Sequence, residues 1–185
     1  MILGYLSTIS EWKQWMKAGM PARDESTPFN KHTDYNRCRI DSPNGPLTLT
    51  IPVQKYEGKS CKIGDVMISE HGDWRHKHWH ALSSTYFNSP YFEYYQDDFH
   101  PIYFGNQQRL VDFNIQLNSL IVELLGLSNL QSPILSTQWG KKTSHRSNTL
   151  ETNYYQVFAH KHGFIPNLSI IDLLFNMGPE AILTL

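Results

Sequence analysis

The sequence lacks three features that would each define a class of protein. Its 16 basic and 17 acidic residues nearly cancel, leaving a formal charge of −1, so no strong positive field draws it to nucleic acid or an anionic membrane. Two cysteines, Cys38 and Cys61, are too few for a disulfide framework. The longest apolar run, SLIVELLGL at 119–127, is interrupted by Glu123 and is too short to span a bilayer. The start of the chain has no basic and apolar leader pattern, and we expect a cytoplasmic protein without membrane insertion.

What is present fits one globular domain. The 185 residues are 40% hydrophobic and 18% charged, which is typical of a folded unit with a substantial core. No internal repeat or flexible linker divides the chain, so we predict a single domain over 1–185. Two polar stretches, 20–33 and 136–153, are predicted to be loops.

Residues 35–53, YNRCRIDSPNGPLTLTIPV, predict a β-hairpin. Side chains alternate on both sides of the SPNG turn, and Asn44-Gly45 suits the positive φ angles of a tight turn. Arg37 and Arg39 fall on one face of the first strand, where two guanidinium groups could bind a phosphate or pyrophosphate. Asn36 either belongs to this binding site or bonds the backbone at the strand end.

Helical spacing dominates from residue 73 onward. Asp73 is positioned to cap a helix ending near Asn88, and a second helix is predicted from Pro90. RLVDFNIQLNSLIVELLGL, at 109–127, has an apolar stripe of helical period that ends at Gly126. Short strands are also predicted at VMIS (66–69) and YYQVF (154–158). The fold class is therefore α+β, a small N-terminal sheet packed against a mainly helical C-terminal half.

The segment DWRHKHWHAL, at 73–82, contains three histidines. On a helix, His76 and His80 share one face and could bind one metal ion. The alternative is an amphipathic helix whose histidines face a cleft, and the missing glutamate of a metalloprotease helix favours this reading. Aromatic residues in this segment and in STYFNSPYFEYY, including Trp79 and Tyr86, could form platforms for sugar rings.

Three further residues are candidates for catalysis. Cys38 could be a nucleophile if a base lay nearby, although a buried strand cysteine is more often structural. His162, just before Gly163, could transfer protons near neutral pH. Asp172 lies in an apolar helix and should need a partner, for which His162 is one choice. No GxGxxG, P-loop or GxSxG motif is present.

Four segments together resemble the WbqC-like protein family: NRCRI, the NG turn with LTLTIPV, DWRHKHWHAL with STYFNSPYFEYY, and the tail QVFAHKHGFIPNLSIIDLLFNMGP. The resemblance extends from about Tyr5 to Leu185. It implies a role in the production of bacterial O-antigen or other surface polysaccharide, without naming a reaction.

These observations lead to three hypotheses. The first is an accessory enzyme of O-antigen biosynthesis that transfers an acyl or aminoacyl group to a nucleotide-activated amino sugar. In that scheme Arg37 binds phosphate, His162 or His80 takes the amine proton, and Cys38 is an optional acyl carrier. The second is a non-enzymatic binding or scaffold protein of the same pathway. The third is a metal-dependent hydrolase using His76 and His80, the one hypothesis that needs a divalent metal as cofactor.

Overall fold

The structure is a computed structural model that describes residues 3–21, 24–30, 34–56, 61–127 and 153–185. These residues form six α-helices and one antiparallel sheet of two strands, which confirms the α+β class. The helices are α1 Ile9–Lys17, α2 Trp74–Tyr86, α3 Phe92–Tyr103, α4 Leu110–Leu124, α5 Ala159–His162 and α6 Ile170–Met177. The strands are β1 Arg37–Ser42 and β2 Gly45–Thr50, and 3₁₀ turns occur at Asp34–Asn36, Ile63–Asp65 and Gly178–Leu183.

The predicted hairpin is confirmed. β1 pairs with β2 from Arg37 opposite Thr50 to Ser42 opposite Gly45. Gly45 has a φ of 99°, which a residue with a side chain rarely adopts. Cys38 and Ile40 are buried on one face of β1. The hairpin therefore covers the core with one face and leaves the other to carry the arginines.

Helix α4 buries the apolar stripe that the sequence predicted. Leu110, Phe113, Leu117 and Ile121 are all 0% exposed. Burial of side chains of this size stabilises the fold by roughly 1.5–3 kcal/mol each. One hydrophobic cluster joins these residues to others from both strands and from α1, α2, α3 and α6.

Two predicted strands are wrong, each for a local reason. Residues 154–158 form no strand, because the side chain of Gln156 bonds both backbone groups of Ile165, at 2.9 and 2.8 Å, in place of a strand neighbour. Residues 66–69 make only single bridges, Ile68 with Val53 and Met67 with Arg109, to two different segments. The predicted loop at 136–153 lies outside the described residues except for its last position.

The helix starts also differ in detail from the sequence pattern. Asp73 stands at the N-cap of α2 with a φ of 50°, and its side chain makes no capping hydrogen bond. The helix predicted from Pro90 begins at Phe92.

Helix α6 is held against β1, which creates the setting of the candidate site. Ser169 caps α6, and its backbone N–H donates to the carbonyl of Arg39 at 2.8 Å. Its hydroxyl donates to the carbonyl of Leu6 at 2.6 Å, and the N–H of Ile170 donates to the carbonyl of Ser7 at 2.9 Å. The beginning of α6 is therefore fixed between the first strand and the segment before α1.

Candidate functional site

A histidine and a buried carboxylate meet at the end of β1. Nε2 of His162 lies 2.6 Å from Oδ1 of Asp41, with side-chain exposures of 23% and 2% respectively. His162 is the last residue of α5, and Gly163 follows with a φ of 75° that favours glycine. The carboxylate orients the ring, while the partly exposed ring remains within reach of a ligand. The pair has the arrangement of a general base with its orienting carboxylate.

A second buried carboxylate lies behind this pair. Asp172 accepts hydrogen bonds from the hydroxyls of Tyr86, at 2.8 Å, and Tyr154, at 2.6 Å. Burial raises its pKa from 3.8 to about 6, and the charge of Asp41 adds to the rise, while the two tyrosine bonds oppose it. His162 therefore pairs with Asp41 and not with Asp172, because β1 brings Asp41 to the ring while tyrosines satisfy Asp172.

The outer face of the hairpin carries the two predicted arginines, on the strand that also carries Asp41. Arg37 and Arg39 are exposed, and alternation along the strand puts Asp41 on the same face. Neither guanidinium forms an ion pair with another described residue. The exposed Thr50 and Thr48 stand opposite them on β2. Within the described residues the face thus offers two cations free of ion pairs and two hydroxyls, on the hairpin whose first strand also carries Asp41.

Asn36 has a structural contact at the edge of this face. It is 5% exposed, and its Nδ2 donates to the carbonyl of Ile51 at 2.9 Å. The N–H of Ile51 in turn donates to the carbonyl of Asn36 at 2.8 Å. Of the two roles that the sequence left open, the backbone-bonding one is observed.

Cys38 is in the core, on the opposite face of β1. It is 5% exposed, and burial raises the pKa of its thiol well above the ordinary value. The thiol is hydrogen-bonded to the side chain of Tyr5. The hydroxyl of Tyr5 also forms hydrogen bonds with the hydroxyl of Tyr103, at 2.8 Å, and with Nδ1 of His78, at 2.9 Å. Burial lowers the pKa of His78 to about 4, so the ring is neutral. These features favour a structural thiol over a thiolate nucleophile.

The remaining predicted residues lie on α2. His76 and His80 are exposed on one face, and the ring of His76 lies 4.6 Å from that of Phe104. Among the described residues no group of three or more His, Cys, Asp or Glu is placed to hold a metal ion. Trp79 is half-buried, with its ring 5.3 Å from that of His100. Tyr86 is buried, with 1% exposure, and its hydroxyl donates a hydrogen bond to Asp172.

The sequence reasoning missed Asp41 and Tyr154. Asp41 had a detectable signal, since it shares the period of Arg37 and Arg39 at the end of the same strand. Tyr154 had none, because its bond to Asp172 depends on how the chain before α5 packs on α6.

Comparison with known proteins places the chain in a family. The chain is 29% identical over 192 residues to the uncharacterized protein Rv1507c of Mycobacterium tuberculosis, an alignment covering 83% of this chain and 81% of that protein. No solved structure matches it. No helix of the described segments has the length and hydropathy needed to cross a membrane. The model for the WbqC-like protein family matches residues 22–150 and 137–184, and the chain therefore belongs to the WbqC-like protein family.

Proposed function

We propose that this protein binds a nucleotide-activated amino sugar on the outer face of the hairpin and transfers an acyl or aminoacyl group to the sugar amine. The setting is the assembly of bacterial surface polysaccharide, as the family resemblance implies. The observation that carries the proposal is the 2.6 Å contact between His162 and Asp41 at the end of the strand face that bears Arg37 and Arg39.

The arginines would bind the phosphate groups of the nucleotide sugar, whose amine accepts the acyl group. Residues two apart on a strand lie roughly 6.6 Å apart and point the same way, so Arg37 and Arg39 can both reach one pyrophosphate. Because neither has an ion-pair partner among the described residues, no internal salt bridge has to break when the ligand binds. Lysine could not replace the paired donors that guanidinium presents to phosphate oxygens.

His162 would act as the base. With Nε2 bonded to Asp41, Nδ1 is the nitrogen left to take a proton from the sugar amine. The amine nitrogen forms a bond to the carbonyl carbon of an acyl thioester or aminoacyl ester. The bond from that carbon to sulfur or oxygen then breaks, and the leaving group departs with its electron pair and receives the proton from His162.

Other predicted residues have different places in this scheme. Asp172, fixed by two tyrosines behind Asp41, would position the pair without touching the ligand. Cys38 has no part, since the thiol is buried on the other strand face, and the base is assigned to His162 over His80 because His162 has an orienting carboxylate.

The test is a thermal-shift screen of the whole chain against nucleotide-activated amino sugars and free nucleoside diphosphates. A ligand that binds only the folded state raises the midpoint of unfolding. We expect a rise for the wild type and for Lys77→Ala, an exposed cation on α2, and a much smaller rise for Arg37→Ala and Arg39→Ala. His162→Gln should keep the rise and lose transfer in an acyl-transfer assay.

Two results would count against the proposal. If Arg37→Ala bound nucleotide sugar as well as the wild type, the phosphate-binding role would be wrong. If no nucleotide sugar raised the midpoint of the wild type, the non-enzymatic scaffold hypothesis would be favoured instead.

A further inference from the structure

We propose that the protein has a second ligand site, a groove at the start of α4 that binds a neutral carbohydrate. The groove has a volume of about 770 Å³, within the range of roughly 300–1,000 Å³ that small-molecule sites occupy. Its polar lining consists of Asn106, Gln107, Gln108, Arg109, Asp112 and Gln116. None of these residues belongs to the hairpin face or to the His162 pair, so the site goes beyond the proposed function.

The lining matches the chemistry of sugar hydroxyls. Each of the four side-chain amides carries both donors and an acceptor, and a hydroxyl likewise donates and accepts. Gln107 bonds Gln116 through its Nε2, and its buried Oε1 has no hydrogen-bond partner among the described residues. The bond between them places the amides of Gln107 and Gln116 side by side in the lining of the groove.

The charges in the groove disfavour an anion. Nε and Nη2 of Arg109 donate hydrogen bonds to the carboxylate of Asp112, at 2.8 and 2.7 Å. The side of the guanidinium that could bind an anion through paired donors is therefore already used. A second carboxylate, that of Glu25, has an oxygen 4.0 Å from Nη1 of the same guanidinium. The groove therefore has no spare positive charge, in contrast to the hairpin face. Met67 and Ile115 add apolar surface suited to the C–H face of a pyranose.

The walls of the groove are held in place before any ligand arrives. Arg75 is 9% exposed, and its guanidinium donates to the carbonyls of Tyr103, at 3.1 Å, and Gln107, at 2.7 Å. The carbonyl of Gln108 accepts from the N–H of Ile68 at 2.7 Å. A preorganised wall lowers the entropy cost of binding.

The experiment is an NMR titration of ¹⁵N-labelled protein with glucose, galactose, mannose and N-acetylglucosamine, and separately with inorganic phosphate. We expect at least one sugar to shift the backbone signals of residues 106–109 and the side-chain amide signals of Gln107 and Gln116. Phosphate should leave these signals unchanged.

Gln116→Ala tests the site itself, with Gln14→Ala as a matched control on the exposed face of α1. Loss of one neutral hydrogen bond should weaken sugar binding by roughly two- to tenfold in Gln116→Ala, and Gln14→Ala should bind as the wild type does. The proposal is overturned if none of the four sugars shifts these signals, if phosphate shifts them instead, or if the two variants bind sugar equally.

Discussion

Replacing Asp172 by asparagine should change how the stability of the protein depends on pH. The carboxyl group is 1% exposed and is surrounded by tyrosine hydroxyls, without an ion-pair partner among the described residues. Burial is the main cause of its raised pKa of about 6, against an ordinary value of 3.8. The folded protein therefore holds a proton on Asp172 at pH values where the unfolded chain has released it.

The size of the effect follows from the two pKa values. One pKa unit corresponds to about 1.4 kcal/mol, so the full contribution of Asp172 to the unfolding free energy is about 3 kcal/mol. It is present below the unfolded pKa of 3.8 and is lost as pH rises through about 6. Roughly 1 kcal/mol of it should be lost between about pH 5 and pH 8. Asparagine does not ionise, so the unfolding free energy of Asp172→Asn should not contain this decrease with rising pH.

Urea unfolding followed by tryptophan fluorescence measures the effect. The difference in unfolding free energy between the wild type and Asp172→Asn is compared across several pH values. The contributions of the other titrating groups cancel in this difference, and a loss of hydrogen bonding that is independent of pH does not change its trend. We expect the variant to gain stability relative to the wild type as pH rises. Asp97→Asn, which changes an exposed aspartate on α3, should show no such trend. An equal difference between wild type and Asp172→Asn at pH 5 and pH 8 would refute the reasoning.

Three further predictions concern the core and its supports. In the native protein a thiol-reactive disulfide reagent should label Cys61 quickly and Cys38 only after unfolding, because Cys38 is buried with a raised pKa; equal labelling rates would contradict this. Gly178→Ala should destabilise the fold by about 1–3 kcal/mol, measured by urea unfolding, because the φ of 56° is strained and the new Cβ would overlap the ring of Tyr91. Arg75→Ala should lower the unfolding free energy by about 2–3 kcal/mol, because it leaves two backbone carbonyls without their charged donor; an unchanged urea midpoint would show that these bonds contribute little.

The sequence by itself determined the elements whose signal is local. The alternation of side chains on both sides of Asn44-Gly45 predicted the hairpin, because successive side chains of a strand point to opposite faces and so indicate which face is buried. The stripe from Leu110 to Ile121 predicted α4 and its packing against the core, because apolar residues three and four positions apart lie on one face of a helix. The same alternation placed Arg37 and Arg39 together on the exposed face.

Only the tertiary structure decided which polar groups meet. His162 contacts Asp41 across 121 residues of sequence, and Tyr86 reaches Asp172 across 86. A buried carboxylate needs a donor, but that need does not specify which histidine or tyrosine supplies it. The choice was made by the docking of α6 against β1, where Ser169 bonds the carbonyl of Arg39. Periodicity reports burial, whereas the partner of a buried charge depends on long-range packing.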